Sequence, residues 1–418
     1  MPAFQELLRA KYSPRKRAAG RPPGARMHLA RLLLVGGLGW AAGHLAGAEV
    51  SMASHDGFAL PQPGTRFVFP RDHGSHPEFK IEWWYLTGHL ETTNHQPATP
   101  RRFGFQATFF RRAAPHSKEP GVPSESFASD QLHLAHMALL DGQTGQFHHE
   151  ERLNRRGWDA DSATNTLAVR NGNWSLRLNP SSTASPTASS TEVFQLHGSI
   201  RAEVRFSLQL TPVKPLVVFG TNGISRKAAE SWASSHYLTY PRLATHGTVQ
   251  VGTTTFEVRG TAWMDHEISS SQLGAGQVGW DWACLQLNDG RELMAYRMRR
   301  ADGTTDPFST VAWIDRDGRT IHQPADRFSF TPEGVWQSPQ TRAEYPAKIR
   351  LSSVDPETGK LRVFRLEPLA PDQELAGGLG GIPYWEGACR VLDSTGTEIG
   401  QAYLEMTGYA GSLRSTME

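Results

Sequence analysis

Five short segments of the sequence combine rare residue types that could support acid–base chemistry. They are residues 73–89, 234–242, 260–267, 279–282, and 383–387 together with 403–409. Four of them place a tryptophan close to a carboxylate. An indole ring shields a neighbouring carboxyl group from water, which raises its pKa and allows it to deliver a proton near neutral pH. The pattern therefore indicates a general acid set among aromatic side chains.

The segment around residue 265 shows this arrangement most clearly. Because residues two apart share a face of a β-strand, we expect Trp263, Asp265 and Glu267 on one face and the two intervening residues on the other. Two neighbouring carboxylates beside an indole raise the pKa of at least one of them, through like charge and lost solvation. Alternatively, either carboxylate could cap a strand end or pair with an arginine such as Arg242.

Two further segments carry tryptophans at strand spacing. Trp280 and Trp282 are expected to share one face of their strand, whereas Trp83 and Trp84 occupy opposite faces of theirs. The strand with Trp83 and Trp84 is therefore predicted to be covered on both sides. A stripe of tryptophans can be core or ligand wall, and the two roles merge where a barrel encloses a cavity.

The histidine spacing argues against a metal site. His73 and His76 form one H-x-x-H pattern, and His133 and His136 form another. Residues three apart on a strand point to opposite faces, so His133 and His136 cannot ligate one ion from a regular strand. His73 and His76 flank a turn, where a hydrogen-bonded histidine is the expected role. We therefore predict no metal site.

The usual signatures of nucleotide binding and hydrolysis are missing from the sequence. It contains no glycine-rich phosphate loop, G-x-S-x-G elbow, H-E-x-x-H motif or C-x-x-C pair. Ser235 stands next to His236, but chain neighbours rarely face each other, so this pair does not make a catalytic triad.

The elements that must position these residues are short strands. From about residue 60, segments of five to nine alternating residues, rich in aromatic and branched side chains, are separated by turn signals such as Asp141-Gly142 and Asp289-Gly290. Residues 180–191 consist mainly of Ser, Thr, Ala and Pro and are expected to form an exposed loop. The sequence thus predicts an all-β protein.

More than ten strands are too many for one small barrel, so two all-β domains in tandem are expected. The step Tyr240-Pro241 closes one patterned stretch, and Gly247 opens a new series of short strands. We therefore place an N-terminal domain at residues 60–245 and a C-terminal domain at residues 246–410.

The charge distribution separates the first 48 residues from the rest. Of 43 basic and 41 acidic residues, eight basic but only one acidic residue lie in 1–48, so the remainder has a net charge of −5. A nucleic-acid-binding surface would need clustered positive charge on the folded part, so a nucleic-acid partner is not expected.

The same first 48 residues resemble a secretory signal peptide. A basic stretch, a short apolar run broken by glycines and a small-residue triplet ending at Ala48 follow one another in the required order, with Met27 as a second candidate start. A retained anchor or a plain helix are the alternatives, but a membrane span needs about 20 apolar residues. We expect a periplasmic or secreted protein, in which Cys284 and Cys389 form one bridge or two buried thiols.

Six sequence blocks resemble those of one known family in the same order. They are H-G-S-H-P-E-F-K-x-E-W-W-Y-x-T-G-H-L (73–90), S-x-x-Y (234–237), W-M-D-H-E (263–267), G-W-D-W (279–282), P-Y-W-E-G (383–387) and Y-L-E-M-T-G-Y (403–409). The chain is thereby identified as a member of the AttH and carotenoid 1,2-hydratase family. The resemblance covers nearly all of the chain after the leader.

This resemblance implies two tandem lipocalin-like antiparallel β-barrel domains with a ligand cleft near their junction. The hydratases of the family add water to an isolated double bond of a terpenoid without a cofactor: an aspartic acid protonates the alkene and aromatic rings shelter the cation. Carried over, Asp265 is the proton donor, with His236 and Trp263 as further catalytic residues. The expected ligand-binding residues are Tyr237, Glu267, Trp280, Trp282, Trp84 and Trp385.

Two positions differ from the hydratase pattern. Trp263 stands where the hydratases have tyrosine, and Leu238 where they have tryptophan. The form W-M-D-H-E resembles the exported, hydrolase-like AttH branch more closely. We therefore expect an exported protein that binds a small hydrophobic, terpenoid-like molecule, with acid-catalysed hydration by Asp265 as its activity. The alternative is a non-catalytic lipid or isoprenoid carrier of the cell envelope, working with an ABC-type membrane transporter.

Overall fold

A computed structural model describes residues 54, 56–93, 100–113, 131–179, 192–378 and 383–413. The expected signal segment (1–48) and loop (180–191) lie outside these ranges. Strands make up 62% of the structure and helix 2%, which confirms the all-β prediction. Two antiparallel sheets each curl into a nearly closed barrel, as expected from the resemblance.

The first sheet holds thirteen strands within the described ranges. They are β1 (Ile81–Thr92), β2 (Arg102–Ala113), β3 (Gln131–Asp141), β4 (Gln146–Arg155), β5 (Ala160–Ser162), β6 (Ala168–Asn171), β7 (Trp174–Asn179), β8 (Val193–Ile200), β9 (Val204–Pro212), β10 (Val217–Val218), β11 (Ser225–Arg226), β12 (Ser234–Val251) and β13 (Thr254–Ser271). Their order is β4-β3-β2-β1-β13-β12-β9-β8-β7-β6-β5, with β10 and β11 added beside β12. Strand β13 therefore returns between β1 and β12, at the centre of the sheet.

The second sheet holds ten strands by the same count. They are β14 (Gln277–Leu287), β15 (Glu292–Arg300), β16 (Thr310–Ile314), β17 (Thr320–Pro324), β18 (Phe328–Gln337), β19 (Glu344–Val354), β20 (Leu361–Pro368), β21 (Glu374–Leu375), β22 (Tyr384–Leu392) and β23 (Glu398–Met406). Their order is β17-β16-β15-β14-β23-β22-β20-β19-β18, with β21 beside β22. In the described part of the chain, two short 3₁₀ helices, Arg71–His73 and Ala325–Arg327, precede β1 and β18.

The sheet change comes later in the chain than the expected domain boundary. Residues 245 and 246 lie inside β12, and the chain passes to the second sheet between β13 and β14. The pairing register of β12 with β13 shifts between Tyr240 and Leu243, because Pro241 has no N–H to continue the ladder. Gly247 sits so close to the neighbouring strand that a Cβ would lie 2.1 Å from the Ser207 carbonyl oxygen. Both signals thus mark local features of one long strand.

Three apolar cores are formed by the residues that the structure describes. One fills the first barrel, one fills the second, and a third, which we call the inter-sheet layer, contains Tyr85, Tyr237, Trp263, Trp282 and Tyr403. This layer forms because strands of both sheets carry apolar side chains on both faces. Side chains on one face fill the barrel, and side chains on the other face pack against the other sheet. The outer face of one barrel thereby packs against the outer face of the other.

Both cysteines are buried, and neither forms a disulfide bond. Cys284 belongs to the inter-sheet layer, whereas Cys389 belongs to the core of the second barrel. Their sulfur atoms therefore lie on opposite faces of the second sheet, and the alternative of two buried thiols applies.

Among the described residues, no helix has the length and apolar character needed to cross a bilayer.

Candidate active site

A pocket opens between the two barrels, within the inter-sheet layer. Its walls come from β1, β2, β12 and β13 of the first sheet and from β14, β15, β22 and β23 of the second. The empty space is about 660 Å³ including the mouth. The lining is aromatic and acidic and includes Trp83, Tyr85, Tyr237, Trp280, Trp282 and Tyr384 with Asp265, Glu267, Glu386 and Glu405.

Strand alternation carries Asp265 to this pocket as the sequence predicts. Trp263 joins the inter-sheet layer and Asp265 and Glu267 line the pocket, whereas Met264 packs into the first barrel. His266 also points away from the pocket and stacks on Trp84, with ring centroids 4.9 Å apart.

The Asp265 carboxyl group is buried and surrounded by neutral hydrogen-bond donors. Its Oδ2 accepts from Tyr237 Oη (2.7 Å), and its Oδ1 accepts from Thr239 Oγ1 (2.5 Å) and Trp263 Nε1 (2.7 Å). Burial raises the pKa of Asp265 to about 7, with a further increase from the Glu267 charge, although the three donors lower it. The group is thus poised to exchange a proton near neutrality.

Aromatic rings form the wall around this carboxyl group. Trp282 donates from Nε1 to Tyr237 Oη (3.0 Å), so a chain of hydrogen bonds runs from the indole through the phenol to Asp265. The Trp282 ring packs edge-on against Tyr85 at 5.2 Å and against Trp263 at 6.2 Å. Trp263 itself stands behind the pocket wall and contributes its N–H to Asp265.

Glu267 is neutralised by a cation that the sequence analysis did not identify. Lys227 Nζ lies 3.0 Å from Glu267 Oε1, and Ser235 also donates to this carboxylate. Burial lowers the pKa of Lys227, but the Glu267 carboxylate outweighs that effect and leaves it raised. The ammonium group also lies 4.6 Å from the centre of the Tyr237 ring. Arg242, the arginine considered in the sequence, pairs with Glu292 instead at 2.6 Å.

Two more carboxyl groups face Asp265 from the second sheet. Glu386 on β22 and Glu405 on β23 are direct cross-strand partners, and both line the pocket. Tyr85 donates to Glu386, and Trp280 Nε1 donates to Glu405 at 2.9 Å. Burial raises the pKa of Glu405 to about 7, and burial together with the Glu405 charge holds the pKa of Glu386 well above its usual value.

Three predicted site residues lie away from the pocket. His236 points to the opposite face of β12 from Tyr237, where its Nδ1 lies 3.1 Å from the Gly223 carbonyl oxygen. Trp84 is in the core of the first barrel, and Trp385 is in that of the second. In each case the chain neighbour, Tyr237, Tyr85 or Glu386, faces the pocket because alternate residues face opposite ways.

Sequence reasoning missed several residues of the pocket, although part of the signal was present. Tyr85, Glu386 and Glu405 belong to the segments rich in tryptophan and carboxylate. The alternation of side chains along a strand would have identified them if it had been known which face of each strand lines the pocket. Lys227 follows the two-residue strand β11, in a stretch without a clear pattern, and no sequence signal indicates it.

A second buried cluster lies around Glu82, on the opposite face of β1 from the pocket residues Trp83 and Tyr85. Glu82 Oε1 lies 2.9 Å from both His76 Nδ1 and His266 Nε2, and its Oε2 accepts from Arg111 Nε at 3.0 Å. The ligand-type atoms of His76, Glu82 and His266 all lie within 4.8 Å of one another. Because the Arg111 cation already holds the carboxylate, the cluster is better suited to an ion-pair network than to a metal. Against the burial penalty, His266, His76 and Arg111 keep the pKa of Glu82 well below its usual value.

The comparisons with known proteins agree with this architecture. A crystal structure assigned to AttH, from Nitrosomonas europaea, superimposes with a TM-score of 0.70 at 34% identity, covering 84% of this chain and 100% of that one. Kievitone hydratase from Nectria haematococca superimposes with a TM-score of 0.58 at 16% identity, covering 84% and 97%, and shares the fold. No curated protein matches the chain significantly by sequence.

The sequence profile described as "AttH-like" matches residues 60–409, which include both barrels and every wall of the pocket. This extent confirms the resemblance stated from the six sequence blocks. The chain belongs to the AttH-like family.

Proposed function

We propose that the pocket between the barrels hydrates a carbon–carbon double bond of a small hydrophobic, terpenoid-like molecule, with Asp265 as the general acid. One observation carries this proposal: a buried carboxyl group with a pKa of about 7 lies among aromatic side chains in a pocket. An ordinary aspartic acid is almost fully ionised at neutral pH, whereas this one retains its proton in about half of the molecules.

The reaction follows from the chemistry of such a group. Asp265 transfers its proton to the less substituted alkene carbon, which leaves a tertiary cation at the other carbon. A water molecule attacks the cation through its oxygen and loses a proton to a carboxylate. The net change is addition of H and OH across the double bond, so no oxidant or cofactor is needed. The faces of Trp282 and Tyr237 can stabilise the cation through their π-electrons.

The charges in the pocket favour a cationic over an anionic intermediate. Four carboxyl groups line it, and Lys227 is the single cationic side chain among the lining residues described. Lys227 is paired with Glu267. The other three carboxyl groups, Asp265, Glu386 and Glu405, therefore have no cationic partner among the lining residues. Such a site offers an oxyanion no unpaired cation, and Ser235, which donates to Glu267, is not arranged as a nucleophile.

The size of the pocket supports entry by the end of a chain. The empty volume of about 660 Å³ includes open solvent at the mouth, so only part of it is enclosed between the barrels. The remainder of a longer ligand would extend through the mouth. Export is part of the proposal and is supported by the order of charge, apolar run and small residues in 1–48.

The test compares the wild-type protein with Asp265→Asn. Each is incubated with geraniol in ¹⁸O-labelled water, and the hydrated product is detected by mass spectrometry. We expect labelled diol from the wild type and a loss of at least about a hundredfold in the variant, typical of removing a general acid. Asp302→Asn, in an exposed turn, is the control and should retain full activity.

Ligand binding separates an enzyme from a carrier. Geraniol binding, followed by tryptophan fluorescence, should be nearly equal in the wild type and Asp265→Asn, since the substitution keeps the size of the side chain. Equal binding with no product from either protein would refute hydration of this substrate and favour the carrier of hydrophobic molecules.

A further inference from the structure

The unmatched oxygen atom of Glu386 indicates a second functional group in the pocket. Glu386 is 1% exposed, and its Oε1 accepts a hydrogen bond from Tyr85. Its Oε2 is buried and has no hydrogen-bond partner among the described residues. A buried carboxyl oxygen without a partner is costly, so a group entering the pocket that can hydrogen-bond to it is favoured.

The position of Glu386 relates it to Asp265. Asp265 belongs to the first sheet and Glu386 to the second, and both line the same pocket. Asp265 uses both oxygens on Tyr237, Thr239 and Trp263, whereas Glu386 keeps one oxygen free. The two carboxyl groups therefore differ: Asp265 has hydrogen-bond partners on both oxygens, whereas Glu386 has one oxygen that can bind a small polar molecule.

Glu405 completes the second wall. It is directly opposite Glu386 on the neighbouring strand, where side chains of such partners come about 5 Å apart. Trp280 donates to Glu405 Oε2 at 2.9 Å. Ionising both carboxyl groups would place like charges near each other in a buried site, so the pair carries at most one negative charge near neutral pH. Such a pair can hold a water molecule and take a proton from it.

We infer that Glu386 and Glu405 form the water side of the site: Glu386 Oε2 binds the attacking water, and the pair accepts its proton. This inference rests on the proposed function. As the water oxygen forms its bond to the tertiary cation, the O–H bond breaks and the proton passes to the ionised carboxylate of the pair. Solvent then removes this proton and restores the one that Asp265 delivered.

A binding experiment tests the pair without requiring turnover. Dimethylallylammonium places N–H donors and a positive charge where the water and the cation would lie, and dimethylallyl alcohol is its neutral counterpart. Calorimetry at one pH gives the ratio of their dissociation constants. We expect the wild type to bind the ammonium compound about tenfold more tightly than the alcohol, because Glu386 and Glu405 have no cationic partner among the lining residues.

The variants Glu386→Gln and Glu405→Gln identify the groups responsible. Each should reduce this ratio at least about threefold, because each replaces one of the two carboxyl groups that can carry the negative charge of the pair by a neutral amide. Glu398→Gln removes the same charge from an exposed pair with Arg102 outside the pocket and should leave the ratio unchanged. An unchanged ratio in both pocket variants, with native near-ultraviolet circular dichroism, would overturn the inference.

Turnover distinguishes this inference from the proposed function. If Asp265→Asn abolishes geraniol hydration while both glutamine variants keep the wild-type rate, Asp265 remains the acid and the water role of the pair is refuted. If the glutamine variants also lose hydration and retain geraniol binding, both parts are supported. Two independent glutamine variants keep the test decisive if one of them does not fold.

Discussion

Replacing Asp265 by asparagine should change how protein stability depends on pH. In the folded protein this carboxyl group has a pKa of about 7. In the unfolded chain it returns to about 3.9. Between these values the folded protein binds a proton that the unfolded chain has released. The wild type therefore loses stability as pH rises towards 7, and asparagine, which is neutral throughout, lacks this loss.

The size of the effect follows from the two pKa values. Each pH unit between them is worth about 1.4 kcal/mol, and the folded group is almost fully protonated at pH 5. From pH 5 to pH 8 the free energy of unfolding of the wild type should thus fall by about 3 kcal/mol relative to Asp265→Asn. The constant cost of rearranging the hydrogen bonds to Tyr237, Thr239 and Trp263 cancels in this comparison.

Urea unfolding followed by tryptophan fluorescence, at four pH values from 5 to 8, gives the two free energies. Asp302→Asn should follow the wild type. If the difference between wild type and Asp265→Asn stays constant within about 0.5 kcal/mol, the carboxyl group is already ionised at pH 5. The role of Asp265 as a neutral acid would then be refuted.

Four further predictions test other parts of the molecule. His236→Ala should leave geraniol hydration unchanged, because His236 faces away from the pocket, while thermal unfolding shows a lower melting temperature; a loss of hydration at full stability would contradict this placement. Trp282→Phe removes the N–H donor to Tyr237 and should cost about 1 kcal/mol in the free energy of unfolding and reduce hydration, whereas Trp158→Phe, at a fully exposed tryptophan, should change neither. Arg111→Met should destabilise the protein by about 3–5 kcal/mol at pH 7, since it leaves the buried Glu82 carboxylate without its cation. Arg111 helps to lower the pKa of Glu82, so the variant should protonate Glu82 at a higher pH than the wild type, and the difference in stability should shrink in acid. A difference that stays constant in urea unfolding from pH 7 to pH 3 would contradict the ion-pair assignment. Expression of the full chain in a Gram-negative host should yield a periplasmic protein that begins at Glu49, as read by N-terminal sequencing; a cytoplasmic product that retains residues 28–48 would refute export.

Much of the site could be predicted because it lies on regular strands. Alternation along β13 placed Trp263, Asp265 and Glu267 together, and alternation along β14 placed Trp280 and Trp282 together, before any pairing was known. The period of two is a property of the strand itself, so it needs no tertiary information. The all-β class follows from the same pattern.

The remaining features depend on how the strands pair and pack. Which face of β22 or β1 turns to the pocket is set by contact with the other sheet, so Trp385 and Trp84 were predicted where Glu386 and Tyr85 stand. The sequence analysis placed a domain boundary near Pro241 because proline, which has no N–H for a strand ladder, is common both in linkers and in β-bulges. The Lys227 ion pair joins segments far apart in sequence, which local patterns do not reveal.

The location of the pocket outside both barrel interiors has an evolutionary consequence. Each interior is filled by its own apolar residues, and the pocket is lined mainly by alternate positions on the outer faces of a few strands. Substitutions at these positions can change the chemistry while the residues that hold each barrel together stay the same. Relatives with this architecture are therefore free to diverge in what they bind or transform without redesigning the scaffold.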